Sequence, residues 1–449
     1  MSQTAQMDLR QWIDQLPLGR YQLFIIALCG LALFMDGFDA QAAGFVAPAL
    51  ARDLQIGREA LGPVFSSSLV GIMLGALVFG TLADRVGRRP ILILCTLWFG
   101  VGSLLTALAG SFSSLVVFRL ITGLGLGGTM PNAIALTAEY MPTRFRATAV
   151  TLTFCGFSIG AASGGFVAAG LIGRFGWQAV FVAGGIVPCV LAALFVALLP
   201  ESIRFLIAQG GQDSKIARCL AKLSPDFAAT GRAVAVTSSP HDAPDSRAVK
   251  QLLAAGRRRL TLVLWLIFFM SLLDLYLLNS WLPTVIHDAG IPLERAIVLT
   301  ALFQVGGTAG ALVLGRLLDR YLSLRVLAWT YLGAAVCVSL IGVAGNSAVW
   351  LAGAILAAGF TVIGGQNGAN ALAAESYPTA LRSTGVGWAL GVGRIGSIIG
   401  PLFGGLLLSL RMPAAELFLA AAIPALAAAA AAFLGRGESR ESTSSDRME

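Results

Sequence analysis

Gly80-Thr-Leu-Ala-Asp84-Arg85-Val-Gly87-Arg88-Arg89 separates two long apolar runs, and its opening returns 235 positions later as Gly315-Arg-Leu-Leu-Asp319-Arg320. The same offset carries Asp39, Pro48, Gly71 and Gly75 onto Asp274, Pro283, Gly306 and Gly310. One residue further on, Glu139, Pro142, Arg146, Thr148, Gly160, Gly164 and Pro188 meet Glu375, Pro378, Arg382, Thr384, Gly396, Gly400 and Pro424. Recurring glycines alone would follow from helix packing. Recurring charges and prolines require two homologous halves in the same membrane orientation.

Composition identifies the solvent. Of 449 residues, 57% are hydrophobic and 12% charged, about half the charge of an ordinary soluble domain. Too few charged side chains are present to cover a water-exposed surface, so most of the chain faces lipid or other apolar helices. Apolar runs of 20 or more residues exclude the alternating short strands of a membrane barrel. Twelve such runs begin near residues 21, 60, 90, 113, 146, 177, 259, 295, 324, 347, 382 and 414. They divide the chain into a short segment 1–20, a six-helix bundle 21–199, a polar linker 200–258, a second six-helix bundle 259–434 and a tail 435–449. The fold class is all-α, with twelve transmembrane helices in two pseudo-symmetric bundles. Most of the 31 Lys and Arg residues fall on the side that holds both termini and the linker, which makes that side cytoplasmic.

Several functions are disfavoured. The net charge of +8 is spread over loops rather than gathered with aromatics on one element, so nucleic acid is not an expected partner. The six cysteines show no CxxC or Cys/His spacing, and five lie in apolar runs, so neither a disulfide framework nor a metal site is expected. Residues 1–20 lack a signal-peptide core, and the first span is expected to be retained. No HExxH, Ser/His/Asp arrangement or phosphate loop points to an enzyme or to a cofactor.

Parallel repeats joined by a linker are the architecture of alternating-access carriers, with substrate held near midplane between the halves. The few ionisable groups deep in the spans are Asp36, Asp39, Arg119, Asp274 and Arg394. Each costs about 2.5–3.5 kcal/mol at the bilayer centre if it faces lipid, so each must face a cavity or a partner. Asp36 and Asp39 share a helical face. They suit proton coupling, with Arg119 tuning them, or else serve as fixed counter-ions to Arg119. Arg394 follows Gly391-Val392-Gly393 and suits bidentate recognition of a carboxylate, or else pairs with Asp274. Phe38, Tyr276, Asn279, Trp281, Phe303, Gln304, Gln366, Asn367, Asn370 and Trp388 form a band able to hold a ring and its hydroxyls. His287, near the outer end of the seventh span, reads as solvent-facing.

The Gly80–Arg89 motif and its second copy resemble the signature of the major facilitator superfamily. Arg119-Leu-Ile-Thr-Gly123-Leu-Gly125, the stretch Glu139–Arg146 and Pro200-Glu201-Ser202-Ile203-Arg204 extend that resemblance along the whole chain. It implies a cytoplasmic ion-pair lattice of Asp84, Arg85, Glu139, Arg146, Glu201 and Arg204, with Gly80, Arg88, Arg89, Asp319, Glu375 and Arg382 as further gate positions. The second copy reads Tyr321-Leu-Ser-Leu-Arg325 where the first has Val-Gly-Arg-Arg, so a weaker lattice is expected there.

Asp36-Gly37-Phe38-Asp39 with Gly44-Phe45-Val46-Ala47-Pro48 is similar to the first-span signature of the aromatic acid:proton symporters. Leu278-Asn279-Ser280-Trp281-Leu282-Pro283 and the stretch Gly385–Arg394 are similar to the same group, which includes carriers of 4-hydroxybenzoate, benzoate, protocatechuate, vanillate and muconate. The positions the resemblance marks are Asp36, Asp39, Arg119, Glu139, Asp319, Arg382 and Arg394. The resemblance implies a functional monomer in the cell inner membrane whose partners are a small aromatic carboxylate, protons and the lipid bilayer. Competing readings are a carrier of another organic anion such as muconate, a drug:proton antiporter, a sugar carrier and a carrier-like nutrient sensor.

Overall fold

The bilayer interior offers no water to backbone N–H and C=O groups, so apolar runs of this length satisfy them internally, as helices. The computed structural model of the chain describes residues 6–209, 213–223, 235–237, 251–254, 257–321, 324–344, 347–410 and 412–435. Much of the expected linker and nearly all of the tail lie outside the described residues. Twelve helices among the described residues are long and apolar enough to cross a membrane, each starting within a few residues of its expected position.

A short helix α1 (Leu9–Gln15) precedes α2 (Arg20–Asp53), α3 (Leu61–Val86), α4 (Arg88–Ala107), α5 (Phe112–Tyr140), α6 (Thr143–Phe175) and α7 (Gln178–Leu198). Two short helices follow, α8 (Ile203–Gln209) and α9 (Asp213–Leu223). The second set is α10 (Arg258–Asp288), α11 (Leu293–Tyr321), α12 (Leu324–Val343), α13 (Ala348–Ser376), α14 (Thr379–Ser409) and α15 (Ala414–Leu434). The strands β1 (Gln6–Asp8) and β2 (Ala235–Thr237) pair in parallel, a small addition to an otherwise helical chain. The described residues of the stretch expected to begin the solvated linker, 200–209 and 213–223, are largely helical. Ile216, Leu220 and Leu223 recur at helical spacing and are buried, so α9 has an apolar face to pack.

The repeat reappears as helix contacts. A Cβ on Gly160 of α6 would strike the Phe34 carbonyl of α2, and one on Gly396 of α14 would strike the Phe269 carbonyl of α10. Gly71 and Gly75 of α3 abut Leu120 and Leu124 of α5 in the way that Gly306 and Gly310 of α11 abut Leu356 and Phe360 of α13. Each residue and its contact map onto the other half at the offset found in the sequence. Without a hydrophobic drive between helices in lipid, such close backbone approach supplies the packing contacts that hold them together.

Packing divides the chain into two compact units. One comprises Met1–Ala40, Val70–Ala161 and Phe181–His241; the other comprises Gln41–Leu69, Ala162–Val180 and Asp242–Glu449. The packing boundary therefore does not coincide with the repeat boundary. Within the second unit, first-half and second-half segments share one core. The Trp281 indole N–H donates to the Pro401 carbonyl at 2.9 Å, and Phe65 meets the Trp281 ring edge-on at 5.2 Å. The Ser66 hydroxyl donates to the Ile398 carbonyl at 2.7 Å. Gly44 lies against the Asn279 carbonyl, and Arg58 forms an ion pair with Asp288.

Gly160→Ala is expected to destabilise the purified protein by about 1–3 kcal/mol, because the neighbouring carbonyl is backbone and cannot yield. Gly170→Ala on the same helix meets nothing within 4 Å and is expected to be neutral or slightly stabilising. Thermal melting in detergent distinguishes the two, and equal shifts would sink the close-packing account.

Candidate functional site

In the first unit, a buried ion pair joins α2 to α5. Arg119 Nη2 lies 2.9 Å from Asp39 Oδ2, and Nη1 donates to Oδ1 at 3.4 Å. The Ser103 hydroxyl of α4 lies 3.1 Å from Asp39 Oδ1 and 3.1 Å from the Phe181 carbonyl. The Arg119 guanidinium also stands 5.3 Å from the Phe181 ring centroid. Both charged residues are essentially inaccessible, Asp39 at 0% and Arg119 at 1% exposure. The two-pronged geometry supplies hydrogen bonds as well as Coulomb attraction, which a buried pair needs to offset desolvation. Asp36, one turn earlier, is buried as well. Phe38, expected in a ring-binding wall, is buried against Gly184.

The second half lacks this pair. Asp274, the counterpart of Asp39, is equally buried, and its Oδ1 has no hydrogen-bond partner among the described residues. Either repeat offset carries Arg119 onto Ala354 or Ile355, so the arginine has no equivalent. No ion pair joins Asp274 to Arg394 among the described residues; Arg394 instead reaches the Tyr276 hydroxyl, at 3.5 Å. The Gln304 amide donates to Asn279 Oδ1 at 3.0 Å, and the Gln366 amide donates to Asn370 Oδ1 at 3.2 Å. Asn367 turns back to its own helix at the Ile363 carbonyl. Of the aromatic band, Trp281 and Phe303 are buried in the core. Trp388 stacks on Trp265 at 5.7 Å and is largely exposed. The polar residues left form three pairs, Arg394 with Tyr276, Gln304 with Asn279 and Gln366 with Asn370.

At the α3–α4 junction, Gly87 adopts φ +107°, a conformation costly for any residue with a Cβ. The turn brings Glu201 to the start of α4, where its Oε1 accepts from the backbone N–H groups of Arg88 (3.0 Å), Arg89 (3.1 Å) and Ser202 (2.8 Å). Glu201 thus caps a helix whose first N–H groups have no internal partner. Arg88 Nη1 pairs with Glu139 Oε1 at 2.7 Å, and the Ser202 hydroxyl donates to Glu139 Oε2. The Tyr140 hydroxyl donates to the Glu201 carbonyl at 2.5 Å.

Of the expected lattice, Glu139 and Glu201 meet here, with Arg88 as the ion-pair partner of Glu139. Arg146 donates to the Ala138 carbonyl at 3.1 Å, while Asp84, Arg85 and Arg204 are exposed. Gly80 has no neighbour near its would-be Cβ. In the second copy Glu375 and Arg382 are exposed, and the Asp319 side chain lies outside the described residues.

The profile of the Major Facilitator Superfamily matches residues 29–238 and 264–449. The chain belongs to this superfamily. It is 44% identical to a gallate transporter of Pseudomonas putida, over 97% of this chain and 96% of that protein. Identity to the 4-hydroxybenzoate transporter PcaK of Acinetobacter baylyi is 41%, over 96% of this chain and 95% of the other. Identity to the 3-(3-hydroxy-phenyl)propionate transporter of Escherichia coli is 38%, over 92% and 93%. A solved bacterial homolog of the human lysosomal transporter Spinster, inward-facing and unoccupied, has the same fold, with a TM-score of 0.73 at 16% identity over 93% of this chain and 98% of that one.

This major facilitator protein is thus a multi-pass membrane protein in which sequence alone had marked Asp39, Arg119, Glu139 and Glu201. It had marked Ser202 only within the Pro200–Arg204 motif and had given no role to Ser103, Tyr140 or Asp14. Asp14 of α1 accepts from the Thr143 N–H at 2.6 Å and hydroxyl at 2.9 Å, capping α6. A Pro142-Thr143 helix start predicts that a cap is needed, but nothing local names an acceptor 129 residues away. Asp39→Asn is expected to cost about 3–5 kcal/mol of stability, because Arg119 keeps a buried charge without its counter-ion. Adding Arg119→Gln should recover much of that loss. Melting of the two variants measures it, and a double variant no better than the single would sink the account.

Proposed function

We propose that this protein imports a small hydroxylated aromatic carboxylate together with a proton, by alternating access, as a monomer in the cell inner membrane with both termini cytoplasmic. The observation that carries this reading is identity above 40% along nearly the whole chain to transporters of gallate and 4-hydroxybenzoate. Both named compounds pair one carboxylate with ring hydroxyls, and Arg394 with the amide side chains of the second half has the matching chemistry. A guanidinium suits the carboxylate. The amides of Asn279, Gln304, Gln366 and Asn370 suit ring hydroxyls, each offering both a donor and an acceptor.

Proton coupling falls to Asp36, Asp39 and Arg119. Asp39 is held by Arg119 at 2.9 Å. Asp36, buried on the same face one turn away, is the second carboxylate of that face, and taking up a proton there lowers the cost of occluding it. In the opposite step the carboxylate and the proton leave together, and the empty carrier returns. Cargo and proton cross in one direction because occluding either charge alone is costly. The orientation rests on the Lys/Arg bias. With that orientation, the Arg58–Asp288 ion pair and the Trp281–Pro401 contact belong to the outer side.

In proteoliposomes with an inward proton gradient, accumulation of labelled 4-hydroxybenzoate or gallate is expected, and a protonophore should abolish it. Asp36→Asn should abolish gradient-driven accumulation yet keep substrate exchange at equal pH on the two sides. Full accumulation by that variant would remove Asp36 from the coupling. Arg394→Gln should weaken substrate binding at least tenfold, read as loss of the ligand-induced melting shift, with the ligand-free melting temperature unchanged. Arg58→Cys with Asp288→Cys should form a disulfide that stops uptake until it is reduced; uptake undiminished after complete cross-linking would show that this contact need not open.

A further inference from the structure

Away from the polar pairs of the second unit, a groove of about 570 Å³ runs between the start of α10 and the end of α15. Arg258 and Arg259 stand at its mouth, and Leu262, Leu266, Ala431 and Leu434 form its walls. No acidic side chain lines it among the described residues. Leu262, Leu266 and Leu434 are 45%, 43% and 68% exposed, which is costly in water and ordinary against acyl chains. The groove is therefore cationic at one end and apolar over the next two turns of helix.

The two arginines differ in their duties. Arg259 Nη2 donates to the Leu434 carbonyl at 2.7 Å, satisfying a helix-end acceptor and holding the α15 terminus against α10. Arg258 is exposed, and its guanidinium makes no ion pair or hydrogen bond among the described residues. The repeat argues against a demand of the fold itself, because the first-half counterparts at the 235-residue offset are Leu23 and Phe24. A guanidinium pair is built at one of two equivalent helix starts.

We propose that this groove binds one anionic phospholipid, the headgroup phosphate on Arg258 and the outer edge of Arg259, and an acyl chain along Leu262 and Leu266. Charge complementarity selects the headgroup, since two cations with no carboxylate lining the groove among the described residues favour an anionic lipid over a zwitterionic one. The apolar walls select a lipid over a free phosphate, which would leave them uncovered. Bound there, the lipid bridges α10 and α15 and steadies the end of the helix that carries Tyr276 and Asn279.

The test is native mass spectrometry of the full-length protein in neutral detergent, titrated with palmitoyl-oleoyl phosphatidylglycerol or with the phosphatidylcholine of the same chains. One phosphatidylglycerol is expected to bind more tightly than phosphatidylcholine. Arg258→Gln should lower its affinity about fivefold, the order expected for one basic group at a membrane surface, and Arg258→Lys should retain most of it. Leu266→Trp, which fills the groove, should abolish the high-affinity lipid without lowering the melting temperature. Equal binding of the two lipids, an unchanged affinity in Arg258→Gln, or displacement of the lipid by millimolar inorganic phosphate would each overturn the proposal. These outcomes do not depend on which substrate the protein carries.

Discussion

Hydrocarbon holds no water, so every charge below the membrane surface must find its answer in the protein. The Asp39–Arg119 pair is where that constraint is met most completely. Two parallel contacts, a serine hydroxyl and an aromatic face surround it, and it links α2, α4, α5 and the start of α7. Helices that would otherwise associate only through van der Waals contact and small residues are tied at one position by an interaction that fails if either partner leaves.

The two halves share their contacts but not their charges. Gly160 against Phe34 and Gly396 against Phe269 are one contact made twice, and the α3–α5 and α11–α13 pairs repeat in the same way. Packing of backbone against backbone tolerates little change, since any side chain there collides with a carbonyl. Charged positions are freer to diverge once another polar group takes over the local need. The first half keeps Asp39 with Arg119, whereas the second keeps Asp274 without a matching arginine and carries Arg394 on another helix, beside Tyr276. The asymmetry leaves a buried ion pair in one half and an arginine beside a tyrosine hydroxyl in the other.

The groove at the mouth of α10 belongs to the same logic of local need. Its arginines stand at the first residues of α10, and a cation at the end of a spanning helix can keep its hydration and still reach an anionic lipid. A carrier that works by moving helices past one another depends on how their ends are held. Arg259 holds one end directly through the Leu434 carbonyl.

The sequence by itself determined the solvent, the twelve helices, their starts and the twofold repeat, because each follows from local apolar length, composition and spacing along one chain. It also marked Asp39, Arg119, Glu139 and Arg394, since a charge within an apolar run needs no fold to stand out. Only the tertiary structure decided who meets whom. It joined Glu139 to Arg88, made Glu201 the cap of α4, turned Trp281 into a core contact and Trp388 into a stack on Trp265, and closed Asn279 on Gln304. Helical periodicity says which residues share a face, but a face has several neighbours at nearly equal distance. The choice among them rests on backbone approach of a few tenths of an ångström, set by glycines and prolines acting together across helices far apart in sequence.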